Sequence, residues 1–258
     1  MRRIGFTLLL LVFGLFPATR LLSQQDFDNV TARDGDTTEH VDGLFIPAIP
    51  GAPFSARVDV QISTLLPDGT TVKRKFFNLI TRDSQGRIYR ERRRIVAENS
   101  PKDAELMESF VTDPMTRTRV ACLPAKHTCL LTSYFPQRGL VEEPVGPSRD
   151  GKSYLTREDM GTTTLDDLDV QHTRESRTYN PGAFGNDRPM AVTKEFWYSP
   201  QLQINLAVAR DDPRSSVQLL QVNDLILAEP DPARFASPEG YKITDERRAV
   251  IRLAAPVR

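Results

Sequence analysis

The chain is short of the residues that most often carry chemistry. Its 258 residues include three histidines, two cysteines and one tryptophan. A zinc site needs ligands that converge, and closely spaced pairs are its usual sequence sign. His40, His127 and His172 are widely scattered, with no H-x-x-x-H or C-x-x-C spacing, so no metal ligand set is expected. The G-x-S-x-G elbow of serine hydrolases is missing, and pairs of carboxylates chosen from 34 acids carry no information. No catalytic residue and no cofactor are therefore expected, and the chain reads as a non-enzyme. Net charge is also lacking, with 34 basic residues against 34 acidic. That balance removes the electrostatic argument for nucleic acid. After the first few residues, no apolar run approaches the roughly 20 residues that a spanning helix requires.

The first residues do have a pattern. Arg2 and Arg3 precede an apolar run from Ile4 to Phe16, which Pro17 ends. The run is too short to span a membrane and has the length of a secretory signal core. Residues 1–23 are expected to be a signal peptide cut after Ser23, with Ala18 as the alternative; an uncleaved anchor is the competing reading. Without residues 1–23 the chain has 31 basic and 34 acidic residues. An exported protein, periplasmic or extracellular, follows. In that oxidising compartment a disulfide persists. Cys122 and Cys129 flank Leu123-Pro124-Ala125-Lys126-His127-Thr128. A turn there sets the two cysteines across a strand ladder, close enough for a disulfide.

Residues 24–53 are rich in Asp, Thr, Gly and Pro. They are read as a disordered linker or an N-terminal arm draped on the domain. Period-two alternation then begins: in Phe54 to Ser63 every even position is apolar and every odd one polar. Leu66-Pro67-Asp68-Gly69-Thr70 reads as a turn, Thr71 to Thr81 as a second strand, Asp83-Ser84-Gln85-Gly86 as a turn, and Arg87 to Ala97 as a third strand. Shorter strands follow at Met107–Val111, Thr116–Leu123 and Thr128–Tyr134. After a loop at 136–152, more strands lie between Tyr154 and Leu227, with Asp166-Asp167 as a hairpin connection. Asp166, Asp167 and Asp169 are read as an exposed turn, since a calcium loop needs more oxygen ligands. Glu229-Pro230-Asp231-Pro232 is expected to end the sheet. Pro101 to Met107 is the best short helix, and Ala233 to Ala236 a single helical turn. The predicted fold is mainly β: a curved antiparallel sheet of about ten strands, an open half-barrel, with few short helices. Residues 54–243 form the domain and 244–258 a C-terminal tail.

Two features invite a functional reading. The run from Arg87 to Arg94 makes Arg90, Arg92 and Arg94 candidate contacts for an anion, because guanidinium forks match phosphate and carboxylate. The competing reading is a solvated strand paired with acids such as Asp59 or Glu108. The cluster Phe196-Trp197-Tyr198 could stack on a ligand or form core with a tyrosine at its rim.

The C-terminal third also carries motifs. Phe196-Trp197-Tyr198-Ser199-Pro200 leads into paired strands, then Asp231-Pro232-Ala233-Arg234-Phe235 and Pro238-Glu239-Gly240-Tyr241. This resembles the closing pattern of the periplasmic lipoprotein-carrier superfamily, mainly over residues 190–243. Asp83 to Arg87 and Gly185 to Pro189 are similar to a group of uncharacterised exported bacterial proteins over most of 54–243. The resemblance implies a half-barrel with an apolar concave face that binds a lipid or lipoprotein. Val58, Val60, Phe76 and Ile80 are then the candidate lining for an apolar ligand. The alternative role is an envelope protein-interaction or sensor domain that uses the arginine strand or the 136–152 loop.

Overall fold

A computed structural model of the chain describes residues 44–102, 104–135 and 143–247. The expected signal peptide (1–23), the part of the expected linker up to residue 43 (with His40), residues 136–142 of the expected loop and the expected tail from 248 lie outside the described residues.

The period-two alternation becomes one sheet. β1 (Phe54–Leu65) and β2 (Thr71–Arg82) form a long hairpin. Its turn closes as Pro67 and Gly69 demand: Leu66 N–H donates to Thr70 O (2.8 Å), and Gly69 takes φ +85°. β3 (Ile88–Arg93), β5 (Leu106–Asp113), β6 (Thr118–Leu123) and β7 (Thr128–Ser133) continue that side as a meander, while β4 (Val96–Ala97) pairs with the upper part of β2. The other side runs from β8 (Gly146–Pro147) through β9 (Ser153–Leu165), β10 (Leu168–Tyr179), β11 (Met190–Ser199) and β12 (Ile204–Asp212) to β13 (Ser216–Ile226). β1 pairs with β13, which joins the two sides. β14 (Lys242–Asp245) lies on β7 in the one parallel pairing among the described residues. The fourteen-stranded sheet is curved and open, with β14 at one edge and β8 at the other.

Several local expectations are corrected. The third strand does not run unbroken to Ala97. It stops at Arg93, where the register on β5 shifts between Arg92 and Arg93, and the chain crosses to form β4. Pro101 to Met107 is not helical: Arg94 N–H bonds to Glu105 O, and Leu106 already belongs to β5. The sheet does not end at Pro232, because β14 rejoins it ten residues later. Among the described residues there is no α-helix. Two 3-10 turns occur, at Pro124–Lys126 and Pro232–Phe235.

Opposed residues of an antiparallel pair share a face, and alternate residues point to opposite faces. Ala56, Val58, Val60 and Ile62 of β1 therefore lie beside Phe76 and Ile80 of β2 and Leu220 and Val222 of β13, all buried. We call this the inner face. It continues through Val208 and Phe196 and merges with Leu168, Val170, Leu202 and Ile204 in one buried cluster. Residues 44–53 form no ladder, as their prolines dictate, yet they are not a free linker. Leu44 and Ile46 are buried in the same cluster, so this stretch is a draped arm.

Arg82 holds the arm down. Its side chain is fully buried and donates to Ala52 O (2.9 Å), Pro47 O (3.1 Å) and Leu202 O (2.9 Å), with the guanidinium 5.0 Å from the Phe54 ring centroid. Burial lowers its pKa to about 10, so it stays charged at neutral pH. Three carbonyls, two from the arm and one from the β11–β12 turn, meet its five donors.

Candidate functional site: two cavities on the outer face

The candidate apolar lining lies where the alternation puts it, but it is packed. Val58, Val60, Phe76 and Ile80 are 1–4% exposed and belong to the core cluster. Val60 and Phe76 also border a cavity of about 430 Å³.

That cavity opens on the outer face. Arg57, Asp59 and Gln61 of β1 stand in register with Phe77 and Lys75 of β2 and with Asn223, Gln221 and Leu219 of β13. Val96, Ser100, Lys102 and Ala104, on the crossing from β3 to β5, form the remaining wall. Phe77 lies between two guanidiniums, Arg57 at 4.1 Å and Arg93 at 4.6 Å from its ring centroid. Such stacking fixes planar cations over an aromatic face. Arg57 binds Asp59 Oδ1 through Nη2 (2.7 Å), and Asn223 Nδ2 donates to Asp59 Oδ2 (2.8 Å). Arg93 donates Nε to Glu91 Oε2 (2.8 Å) and Nη1 to Ala104 O (3.0 Å), tying the wall to β3.

A second groove, about 400 Å³, lies on the same face over β3, β5 and β6. Its bed is Tyr89, Leu106, Ser109, Val111, Val120 and Cys122, and residues 233–241 run along its side. Cys122 and Cys129 are directly opposed in the β6–β7 ladder and joined in a disulfide, with Cα atoms 4.0 Å apart. The C-terminal segment is anchored at both ends of the groove. Arg87 packs over Phe235 (4.6 Å), Arg234 over Tyr89 (5.7 Å), and Tyr241 stacks on His127 at 5.2 Å. Asp231 caps the 3-10 turn by accepting from Ala233 N–H (2.9 Å).

The two cavities are linked. Tyr89 Oη donates to Glu91 Oε1 (2.8 Å), and Glu91 holds Arg93, which stacks on Phe77. Burial, and then the bond to Glu91, raises the Tyr89 pKa above its ordinary value of 10. The phenol therefore remains a donor.

The arginine run is distributed differently. Arg90 and Arg92 point to the inner face, since Arg90 pairs with Ile80. Arg90 and Arg119 both approach the Phe110 ring, at 5.4 and 4.6 Å. Arg92 pairs with Glu108 (2.9 Å) and Arg94 with Glu105 (3.1 Å). The three candidate anion contacts are not brought together at one cavity, and two already hold carboxylates.

At the far side of the sheet, Trp197 stacks on His172 at 4.4 Å, and His172 Nε2 lies 2.9 Å from Glu195 Oε2. Burial opposes the charge on Glu195, but the hydrogen bonds from His172 and Arg174 outweigh it and lower the pKa below 4.5. No group of three or more His, Cys, Asp or Glu suited to a metal occurs among the described residues.

Sequence reasoning missed Arg57, Phe77, Lys75, Lys102 and Asn223. The Phe76-Phe77 doublet was the available sign, because adjacent aromatics on a strand must serve opposite faces.

No family model matches the chain, and no curated protein matches it. Solved structures do. One is a putative outer membrane lipoprotein-sorting protein domain from Vibrio parahaemolyticus, 12% identical, covering 73% of this chain and 91% of that one, with TM-score 0.29. Another is a DUF1329 family protein from Desulfovibrio piger, 11% identical, with the same coverages and TM-score 0.30. A LolA superfamily protein from Nitrosomonas europaea is 13% identical over 73% and 91%, with TM-score 0.27.

Proposed function

We propose that this is an exported, non-enzymatic binding protein that holds the acyl chain of a lipid or lipidated molecule. The observation that carries the reading is the groove over β3, β5 and β6. Its bed presents Leu106, Val111 and Val120, with Tyr89 and Tyr241 as aromatic walls, and Ala233, Ala236 and Pro238 border it. About 400 Å³ of space, lined by these apolar and aromatic side chains together with Ser109, Arg234, Ser237 and Glu239, fits a small-molecule site.

Native mass spectrometry of the protein purified from its own host tests this. A co-purified lipid mass, reduced in a Val120→Trp variant that fills the groove, is the expected result. Protein that carries no such mass and takes up no dodecyl maltoside overturns it.

The alternative, a protein-docking envelope domain, draws on β9. β8 pairs only with Tyr154 and Leu155. Among the described residues no strand covers the outer edge of β9 beyond them, and such an edge can accept a partner strand.

A further inference from the structure

The cavity beside Phe77 has a composition that the apolar groove lacks. Its lining carries three cations, Arg57, Lys75 and Lys102, against one carboxylate, Asp59. Asp59 is fully engaged by Arg57 and Asn223. The ammonium groups of Lys75 and Lys102 make no hydrogen bond or ion pair among the described residues. Lys75 comes from β2 and Lys102 from the crossing segment, so the two charges approach from different walls. Gln61, Gln221 and Asn223 add side-chain amides. Phe77 contributes the aromatic surface on the outer face.

An apolar track leaves this cavity. Register places Leu219 opposite Gln61 and Val217 opposite Ser63, and Leu65 lies two residues farther along the same face. Leu219 is 47% exposed, Val217 40% and Leu65 71%. Lys75 and Lys73 flank the track on β2, opposite Gln61 and Ser63. Exposed apolar side chains that lead from a cationic pocket match a molecule with a charged head and a hydrocarbon tail.

We propose that the outer-face cavity between β1, β2, β13 and the wall of Val96, Ser100, Lys102 and Ala104 is a second binding site, for the anionic head of a single-chain amphiphile. A phosphate or carboxylate sits between Lys75 and Lys102, and the tail lies along Leu219, Val217 and Leu65. This site is separate from the groove over β3, β5 and β6 and extends the lipid-binding reading on which it rests.

The full mature chain tests it by titration calorimetry with three probes: dodecyl phosphate below its micelle concentration, inorganic phosphate, and dodecyl maltoside. Dodecyl phosphate is expected to bind, inorganic phosphate far more weakly. A Lys75→Met, Lys102→Met variant is expected to bind dodecyl phosphate roughly tenfold more weakly and to bind dodecyl maltoside unchanged. Both lysines are exposed, so the variant folds, and its melting curve verifies that. Unchanged dodecyl phosphate affinity in the variant overturns the anionic site and leaves the acyl-chain reading standing. Equal binding of inorganic phosphate overturns the amphiphile. Loss of every amphiphile from the wild-type chain overturns the function proposed above as well.

Discussion

Arg82 donates Nη2 to the carbonyl oxygen of Leu202 at 2.9 Å, across 120 residues of chain. The same guanidinium takes the carbonyls of Ala52 and Pro47. One side chain thus pins the N-terminal arm, the β1–β2 hairpin and the β11–β12 turn to one point. Arg82→Met leaves three carbonyls with no partner at a buried site, and each buried unsatisfied group costs about 1–3 kcal/mol. The expected loss is at least about 3 kcal/mol in urea unfolding. Arg82→Lys recovers only part of it, because one ammonium cannot span all three oxygens. A lysine variant as stable as wild type would refute the clasp.

Gly86 has φ +84°, and a Cβ there would lie 3.1 Å from Ile49 C and 3.2 Å from Ala48 O. The arm packs directly on this turn, with Gly51 N–H on Ser84 O at 3.0 Å. Gly86→Ala is expected to cost about 1–3 kcal/mol through strain and displaced backbone. It should also make residues 44–53 cleavable by protease while the sheet resists. Unchanged digestion would show that the arm does not depend on this contact.

The Cys122–Cys129 bridge closes a short loop, at a sequence separation of seven. Chain-entropy reasoning gives such a loop about 2.5 kcal/mol. Replacing both cysteines by serine should lower the urea midpoint by that order and loosen the groove bed at Cys122. A wild-type midpoint that does not respond to reductant would count against a stabilising bridge.

Acid sensitivity should track Asp212. Arg214 binds its carboxylate through Nε (2.9 Å) and Nη2 (2.7 Å), and Arg210 adds Nη2 at 3.2 Å. The Arg214 hydrogen bond, the strongest influence, lowers the pKa below 3.8, against the cost of burial. A carboxylate with a depressed folded pKa stabilises the fold fully above the unfolded value and loses that contribution as pH falls through the folded one. Stability should therefore fall as pH drops below about 4. Asp212→Asn should cost about 2 kcal/mol at neutral pH and flatten that acid slope. A mutant that keeps the full slope would assign it to other carboxylates, Glu195 and Asp113 among them.

The alternation from Phe54 to Ser63 made the central strands readable, because each even residue had to share one buried face. The two-residue connection at Asp166-Asp167 was readable for a similar reason. Both residues take positive φ (46° and 60°), the conformation that a tight hairpin needs and that aspartate tolerates. The arginine run misled because composition alone does not reveal a break: five arginines in eight residues look like one strand, but β3 ends at Arg93. The return of β14 was hidden, since four exposed residues carry no alternation to detect. The cavity beside Phe77 depends on which residues of β13 stand opposite β1. That register is set by pairing across more than 150 residues, and no local pattern contains it.

The pairing of β1 with β13 also bears on how the protein acquires its shape. Most other ladders join neighbours in sequence, so the strands on either side can assemble as successive hairpins. The central seam must wait until Ile226 has been made and delivered. A chain that emerges N-terminus first leaves the Phe54–Leu65 strand with one open flank and a water-exposed greasy side for most of synthesis. Distant pairings of this kind are slow to form, and an open flank in the interval can capture another copy. Folding yield is therefore expected to depend on what shelters that strand before its distant neighbour arrives.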